Sequence, residues 1–294
     1  MPTAGKAAPA CFRRAFFFGW ALAAAAALRA ADLPRVAPEL AQIGKPDAAE
    51  AARLIEQFRT AGIPGDYYLE FELRVLLRRS DGPVLTGRWW GTRNDRGALS
   101  RIEITDAAGA AHRFVLQNGD GATVWRFVAG RAAPLGPADL LGPLVPGVEV
   151  TAFDLLMPFL YWPNPTVEKI TRMMGRPAHQ FIFSAPAAFA AANGGISAVR
   201  AWLDTQFNAP NRIELIGADG RVRRTFELRD LKKVGGQYLP KAVDYRNEQT
   251  RDKTRLQLTG AALDLRQPSA LFDPATLAQA AAPIPAAQLT RIEP

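Results

Sequence analysis

The stretch that decides the fold is Tyr67-Tyr68-Leu69-Glu70-Phe71-Glu72-Leu73-Arg74-Val75-Leu76-Leu77-Arg78. Apolar side chains at 67, 69, 71, 73, 75 and 77 alternate with Tyr68, Glu70, Glu72, Arg74, Leu76 and Arg78, the period of two that gives a β-strand one apolar face. Asp81-Gly82 then reads as a hairpin turn. Further strands follow at 84–92, 99–105, 112–117 and 123–128, separated by Asn94-Asp95, Ala108-Gly109 and Asn118-Gly119-Asp120-Gly121. Five strands on short turns make an antiparallel meander.

Upstream, Asp47-Ala48-Ala49-Glu50 has the pattern of a capping box, with Asp47 as N-cap and Glu50 reaching back to it. Ala51, Leu54, Ile55 and Phe58 then fall on one helical face, so an amphipathic helix over 47–61 is predicted, ending at Gly62 before Pro64. Downstream, residues 131–150 are rich in proline and glycine. Phe153, Leu156, Met157 and Leu160 indicate a short apolar helix closed by Tyr161-Trp162-Pro163, and a second helix is predicted from Thr166 to Met174. Strand patterning resumes at 178–184, 197–204, 210–216, 222–233, 238–247 and 253–263.

The fold class is therefore mainly β (α+β): one large antiparallel sheet of about eleven strands, curled into an unclosed half-barrel. An apolar concave face that size needs a cover. The helix at 47–61 and the central helices supply it. No linker divides the strands, so residues 47–279 read as one domain, preceded by an extended lead-in at 31–46 and followed by a frayed Ala/Pro-rich tail at 280–294.

The chain has 294 residues, 48% hydrophobic and 22% charged, which describes a globular protein and excludes wholesale disorder. Its formal charge is +8, with two histidines and one cysteine. Residues 1–30 distort these totals. Lys6, Arg13 and Arg14 precede the apolar run Ala15–Leu28, the layout of a secretory signal cleaved near Ala27 or Ala30. A retained anchor is the alternative, although the run would rise only about 21 Å as a helix against a hydrocarbon core of roughly 30 Å. Arg13-Arg14-Ala15-Phe16-Phe17 leaves twin-arginine export open beside the general route. Cleavage after Ala30 removes Lys6, Arg13, Arg14, Arg29 and Cys11; Lys+Arg falls from 36 to 32 against 28 carboxylates, a net charge of +4 with no cysteine left. The basic runs at 221–224 and 232–233 read as solvated strand faces, not as a nucleic-acid footprint.

Little reactive chemistry is available. His112 and His179 have no metal-ligand spacing, so no metal or other cofactor is expected. No G-x-S-x-G elbow presents a nucleophilic serine, and Gly119-Asp120-Gly121 is a turn between strands, not a phosphate cradle. The reading is of a non-enzymatic protein. A secreted hydrolase using a carboxylate pair stays open as a further alternative, with Asp204 and Asp230 as inward-facing candidates.

The informative residues are large and apolar. Trp89, Phe114, Trp125, Phe127, Phe181, Phe183, Trp202 and Phe226 lie in predicted strands, while Phe153, Met157, Leu160 and Trp162 lie on or beside the central helices. They can pack a core or line a cavity for an apolar ligand, and these twelve are the cavity candidates.

Several motifs carry a resemblance. Thr86-Gly87-Arg88-Trp89-Trp90, the turn Asn118–Gly121 leading to Trp125, Trp202-Leu203-Asp204, Asp219-Gly220-Arg221, Val234-Gly235-Gly236, Leu239-Pro240-Lys241 and Leu271-Phe272-Asp273-Pro274 occur in the order and spacing seen in LolA-like outer membrane lipoprotein-sorting proteins. The chain resembles that family from about Ala49 to Leu277. The resemblance implies an eleven-stranded open barrel, helices plugging its mouth, and a cavity for acyl chains. It also implies a periplasmic, monomeric carrier of acylated lipoproteins or other lipids that meets membrane-bound donor and acceptor proteins transiently, without nucleic acid. A lid-contacting arginine is part of the family pattern; Arg88 is the candidate, on a strand position that also points toward solvent. The alternative within the same fold is an envelope sensor or scaffold acting through a protein partner.

Overall fold

A computed structural model describes residues 42–44, 47–207 and 209–293. The expected signal segment and most of the 31–46 lead-in lie outside the described residues. The first half comprises β1 (Gln42–Gly44), α1 (Ala48–Thr60), β2 (Asp66–Leu76), β3 (Asp81–Asn94), β4 (Gly97–Thr105), β5 (Ala111–Gln117), β6 (Thr123–Val128) and β7 (Arg131–Pro134). Three helical pieces follow: a 3-10 turn over Pro137–Asp139, α2 (Ala152–Leu156) and a 3-10 turn over Pro158–Tyr161. The second half comprises β8 (Thr166–Met173), β9 (Arg176–Ser184), α3 (Ala187–Ala192), β10 (Ile196–Asp204), β11 (Ala209–Gly217), β12 (Val222–Val234), β13 (Gln237–Asn247), β14 (Lys253–Leu265) and β15 (Thr290–Arg291).

All the strands belong to one antiparallel sheet in the order β1-β8-β9-β10-β11-β12-β13-β14-β2-β3-β4-β5-β6-β7, with β15 added beside β14. The two ends do not meet, so the sheet stays open. The closing pair of the two meanders is β14 with β2, where Leu256 faces Leu73 and Leu258 faces Phe71. The eleven strands read from the sequence are all present, and β1, β7, β8 and β15 are additional.

Four expectations change. Thr166–Met173 is a strand, not a helix: a register shift between Val167 and Lys169 separates the apolar positions Val167 and Ile170 by three residues, a spacing that imitates a helical face. Asp81-Gly82 is not the hairpin turn; the chain reverses at 77–80, where Leu77 N–H donates to Ser80 O at 3.0 Å, and Leu77 is 44% exposed instead of continuing the buried row. Asp47 caps α1 by accepting from Glu50 N–H, but the Glu50 carboxylate goes to His179, 3.5 Å away, leaving half a capping box. The 280–293 segment is not frayed. Ile292 is 3% exposed and belongs to the main core, because Thr290 and Arg291 pair with Ala261 and Gly260.

The concave face holds the main core. Leu69, Phe71, Leu73 and Val75 of β2 and Ala51, Leu54, Ile55 and Phe58 of α1 all belong to it, the row and the stripe that the patterning supplies. Each of the larger side chains contributes about 1.5–3 kcal/mol on burial. Two glycines of β3 make the sheet's closest packing possible: a Cβ at Gly87 would overlap the Phe71 ring, and one at Gly91 the Tyr67 ring. These residues are the cross-strand partners Phe71–Gly87 and Tyr67–Gly91, so each ring lies flat over a position without a side chain. The convex face has a second core. Tyr68, Trp90, Ala262, Phe272 and Ala281 pack together under the segment that follows β14.

Candidate functional site

The cover is fastened by side chains from the sheet. Arg93 of β3 donates to the carbonyls of Thr60 and Ala61 at 2.9 Å each, satisfying the open C-terminus of α1. Asn118 donates to Leu156 O at 3.0 Å and does the same for α2. Met157 ends α2 in the left-handed conformation (φ 46°), and Pro158 then starts the 3-10 turn. Arg59 of α1 donates to Leu160 O at 2.8 Å, joining the two helical pieces. On the β8–β10 side this cover is packed solid, with Phe153 5.3 Å from Phe189 and Phe159 5.1 Å from Phe183 between ring centroids.

The other half of the concave face is not filled. A cavity of about 610 Å³ lies over β11–β14, β2 and β3, beneath α2 and the segment after α1. That volume is within the range of roughly 300–1,000 Å³ typical of ligand sites. Its inner wall is Leu69, Phe226, Leu228, Val243, Leu256 and Leu258, all buried. Polar groups interrupt this wall at Tyr67, Asp154, Gln206, Gln237, Tyr238 and Tyr245. Burial raises the phenols of Tyr67 and Tyr245 above their ordinary value, so both rings stay neutral.

Asp154 is the carboxylate on this wall, and it is already engaged. It accepts from Thr151 N–H at 2.9 Å and Thr151 Oγ1 at 2.7 Å, closing the capping box of α2. Arg224, reaching in from β12, lies 3.5 Å from it and 3.0 Å from Glu149. Arg224 is thus an arginine that contacts the cover, whereas Arg88 is exposed on the convex side. Asp204 is buried against Arg176 at 2.7 Å, and Asp230 is exposed beside Lys241 at 3.5 Å, so neither stands with a second carboxylate. Among the described residues, no group of three or more His, Cys, Asp and Glu side chains could hold a metal ion. None of the described helices is long and apolar enough to cross a membrane.

The twelve sequence candidates separate into three places. Trp89, Met157 and Phe226 line the cavity. Phe114, Phe153, Leu160, Trp162, Phe181 and Phe183 are buried in the packed core beside it. Trp125, Phe127 and Trp202 are on the opposite face: Trp125 pairs with Val115, Phe127 lies under Arg113 at 5.9 Å, and Trp202 lies between Arg200 and Arg212 at 6.0 and 5.8 Å. Strand parity accounts for this, since Phe114, Leu116 and Val124 take the concave side and their neighbours in sequence must take the other. Missed residues include Leu231, Pro240, Val243, Tyr245, Leu256 and Leu258. Alternation within β12–β14 carried their signal, without the large rings that drew attention elsewhere.

The geometry has relatives. A family model described as "Uncharacterized protein" matches residues 184–279. No curated protein matches the sequence. A domain described as an outer membrane lipoprotein-sorting protein from Vibrio parahaemolyticus superposes with a TM-score of 0.67 at 14% identity, over 77% of this chain and 97% of that one. A DUF1329 family protein from Desulfovibrio piger gives 0.62 at 10% identity, over 77% and 95%. A LolA superfamily protein from Nitrosomonas europaea gives 0.57 at 14% identity, over 76% and 97%. At these identities the likeness is one of fold, and by its fold the chain is LolA-like.

Proposed function

We propose that this protein is an exported, periplasmic carrier that shelters the acyl chains of a lipoprotein or another lipid in the cavity over β11–β14, β2 and β3. The observation that carries the reading is an unfilled, mainly apolar cavity of about 610 Å³ between the open sheet and its helical cover. The cavity reaches solvent at its rim, so a bound chain would displace water from these apolar walls. At about 0.8 kcal/mol per buried CH₂, a sixteen-carbon chain gains on the order of 12 kcal/mol by leaving water. A cavity of this kind can hold that chain without reacting with it, and a cover built of short helices can move to release it. The description of the Vibrio relative, outer membrane lipoprotein sorting, agrees with cargo that passes between membranes through transient contacts with donor and acceptor proteins.

The test is direct. Native mass spectrometry of the purified protein is expected to show co-purifying lipid, and the delipidated protein to bind a fluorescent fatty acid. Leu258→Trp, on the inner wall, should abolish probe binding while retaining a cooperative thermal transition. A folded wild-type protein with neither bound lipid nor probe affinity would overturn the reading.

A further inference from the structure

The cavity is not uniform along its length. Its floor is made of buried residues, whereas two stretches of its lining reach solvent: Thr60, Gly62 and Pro64 after α1, and on the strand side Gln206, Tyr238 and Pro240, with Tyr238 49% exposed. The last three belong to the β10–β11 and β12–β13 hairpins. The hairpins meet where Phe207 and Tyr238 contact edge to face at 4.6 Å, and both rings line the opening.

Each ring of that lip carries a cation. The Arg176 guanidinium is stacked on Phe207 at 4.6 Å, and the Lys233 ammonium stands 5.8 Å from the Tyr238 ring centroid. Arg176 donates through Nε to Asp204 at 2.7 Å, while its buried Nη2 has no hydrogen-bond partner. Asp204 is fully buried and also accepts from the backbone N–H of Gln206 and Phe207, so it holds the lip together and presents no charge to solvent. Lys233 has no carboxylate within salt-bridge distance among the described residues, and its neighbour Lys232 is likewise exposed and unpaired. The nearest exposed carboxylate on these hairpins, Asp230, is paired with Lys241. A cavity that is apolar inside and ringed by aromatic-backed cations outside matches a molecule with a long chain and an anionic head.

We infer that the cargo is an anionic amphiphile, whose chain fills the cavity and whose carboxylate or phosphate head is held at the lip by Lys233 and Arg176 between Phe207 and Tyr238. The inference rests on the acyl-chain reading and narrows it. Neutral lipids would gain the same burial but leave the Arg176 Nη2 without a partner and forgo the charge contact with the exposed Lys233 ammonium.

The test compares a dansyl-labelled undecanoic acid with its methyl ester at low ionic strength, on wild type, Lys233→Gln and Lys233→Glu. Thermal melts confirm that the variants fold; Lys233 is exposed, so little loss is expected. The acid should bind wild type roughly fivefold tighter than the ester, in keeping with one or two exposed charge contacts. That preference should shrink in Lys233→Gln, reverse in Lys233→Glu and fade as salt is raised. Equal binding of acid and ester by wild type, or an unchanged preference in Lys233→Glu, would overturn the anionic-head assignment while leaving the cavity reading intact. Failure of both probes to bind would overturn the two together. Inorganic phosphate, which has no chain, should displace the acid only weakly; full displacement would mark the lip as a free-anion site and overturn the assignment.

Discussion

The guanidinium of Arg224, on the concave side of β12, donates to the carboxylate of Glu149 at 3.0 Å in the segment that leads into the cover. Arg224 also donates to the Glu149 carbonyl, and Asp154 of α2 lies 3.5 Å away. One strand residue thereby fixes the start of the cover over the cavity. Burial raises the Glu149 carboxyl above its ordinary 4.5, and Arg224 only partly offsets this.

Removing that cation should therefore loosen the cover. Arg224→Ala leaves two partly buried carboxylates without their counter-charge, a loss of about 3 kcal/mol. Urea midpoints would report the cost, and hydrogen exchange should show faster opening across 149–162 than across β2. Glu149→Gln should cost less, because it removes a charge that the fold already disfavours. The sign for Glu149 follows: its folded state favours the proton, so its contribution declines as pH rises above 4.5, and Glu149→Gln should abolish that decline.

A second prediction concerns the segment after β14. Arg101 is 2% exposed on the convex face and donates to Glu103 at 2.7 Å, to Thr276 Oγ1 at 3.0 Å, to Leu271 O at 3.2 Å and to Gln279 O. Glu103 in turn accepts from Ala281 N–H at 2.9 Å. Arg101→Met should cost about 3–5 kcal/mol, because the buried Glu103 loses its counter-charge and the segment after β14 loses the donor that ties Leu271, Thr276 and Gln279 to the sheet. Ending the chain at Arg266 should uncover Tyr68 and Trp90 and make the protein bind a hydrophobic dye.

Gly87 and Phe71 supply a third. Gly87→Val should unfold or strongly destabilise the protein, since the added atoms occupy the space of the Phe71 ring. Phe71→Ala alone should cost about 3–5 kcal/mol for the cavity it leaves. The double variant should be more stable than the sum of the two losses predicts, by at least about 1 kcal/mol in a denaturant cycle.

These sites also show what the sequence made legible. Regular alternation from Tyr67 to Val75 and the Ala51–Phe58 stripe identify strand, helix and the faces that enter the core, because both periods persist over several turns or residues. Where a bulge interrupts the period, as between Val167 and Lys169, the pattern mimics a helix. Strand parity hides in adjacent large rings: Trp89 faces the cavity, while Trp90 packs against Tyr68 on the other side, 5.3 Å between centroids. The convex rings are buried because the chain after β14 folds back over them, a long-range contact that no local pattern announces. Emptiness is likewise invisible locally, since Leu256 and Leu258 would look the same in a filled core.

The last prediction is a pH profile. Burial alone would raise the Asp244 carboxyl, but hydrogen bonds from Arg255 at 2.6 Å and Lys253 at 3.0 Å outweigh it and hold Asp244 below its ordinary 3.8. Its stabilising contribution is therefore complete above 3.8 and is lost as pH falls through the lower, folded value. His179 behaves similarly in a higher window. Burial lowers its imidazole below 6.5 despite Glu50 nearby, so the folded state prefers it neutral, and stability declines as pH falls from 6.5 toward the folded value. With the opposing Glu149 contribution removed by Glu149→Gln, urea midpoints measured from pH 8 downward should thus fall in two separate steps. His179→Asn should remove the first step and leave the second. Asp244→Asn should remove the second and cost about 2–3 kcal/mol at neutral pH, because Arg229, Lys253 and Arg255 all lose the carboxylate they face. Because Glu149 changes stability in the opposite sense as pH falls toward 4.5, the His179 test is made in Glu149→Gln, where a profile flat between pH 7 and 5 would refute the assignment; an unchanged acid limb in Asp244→Asn would refute the other.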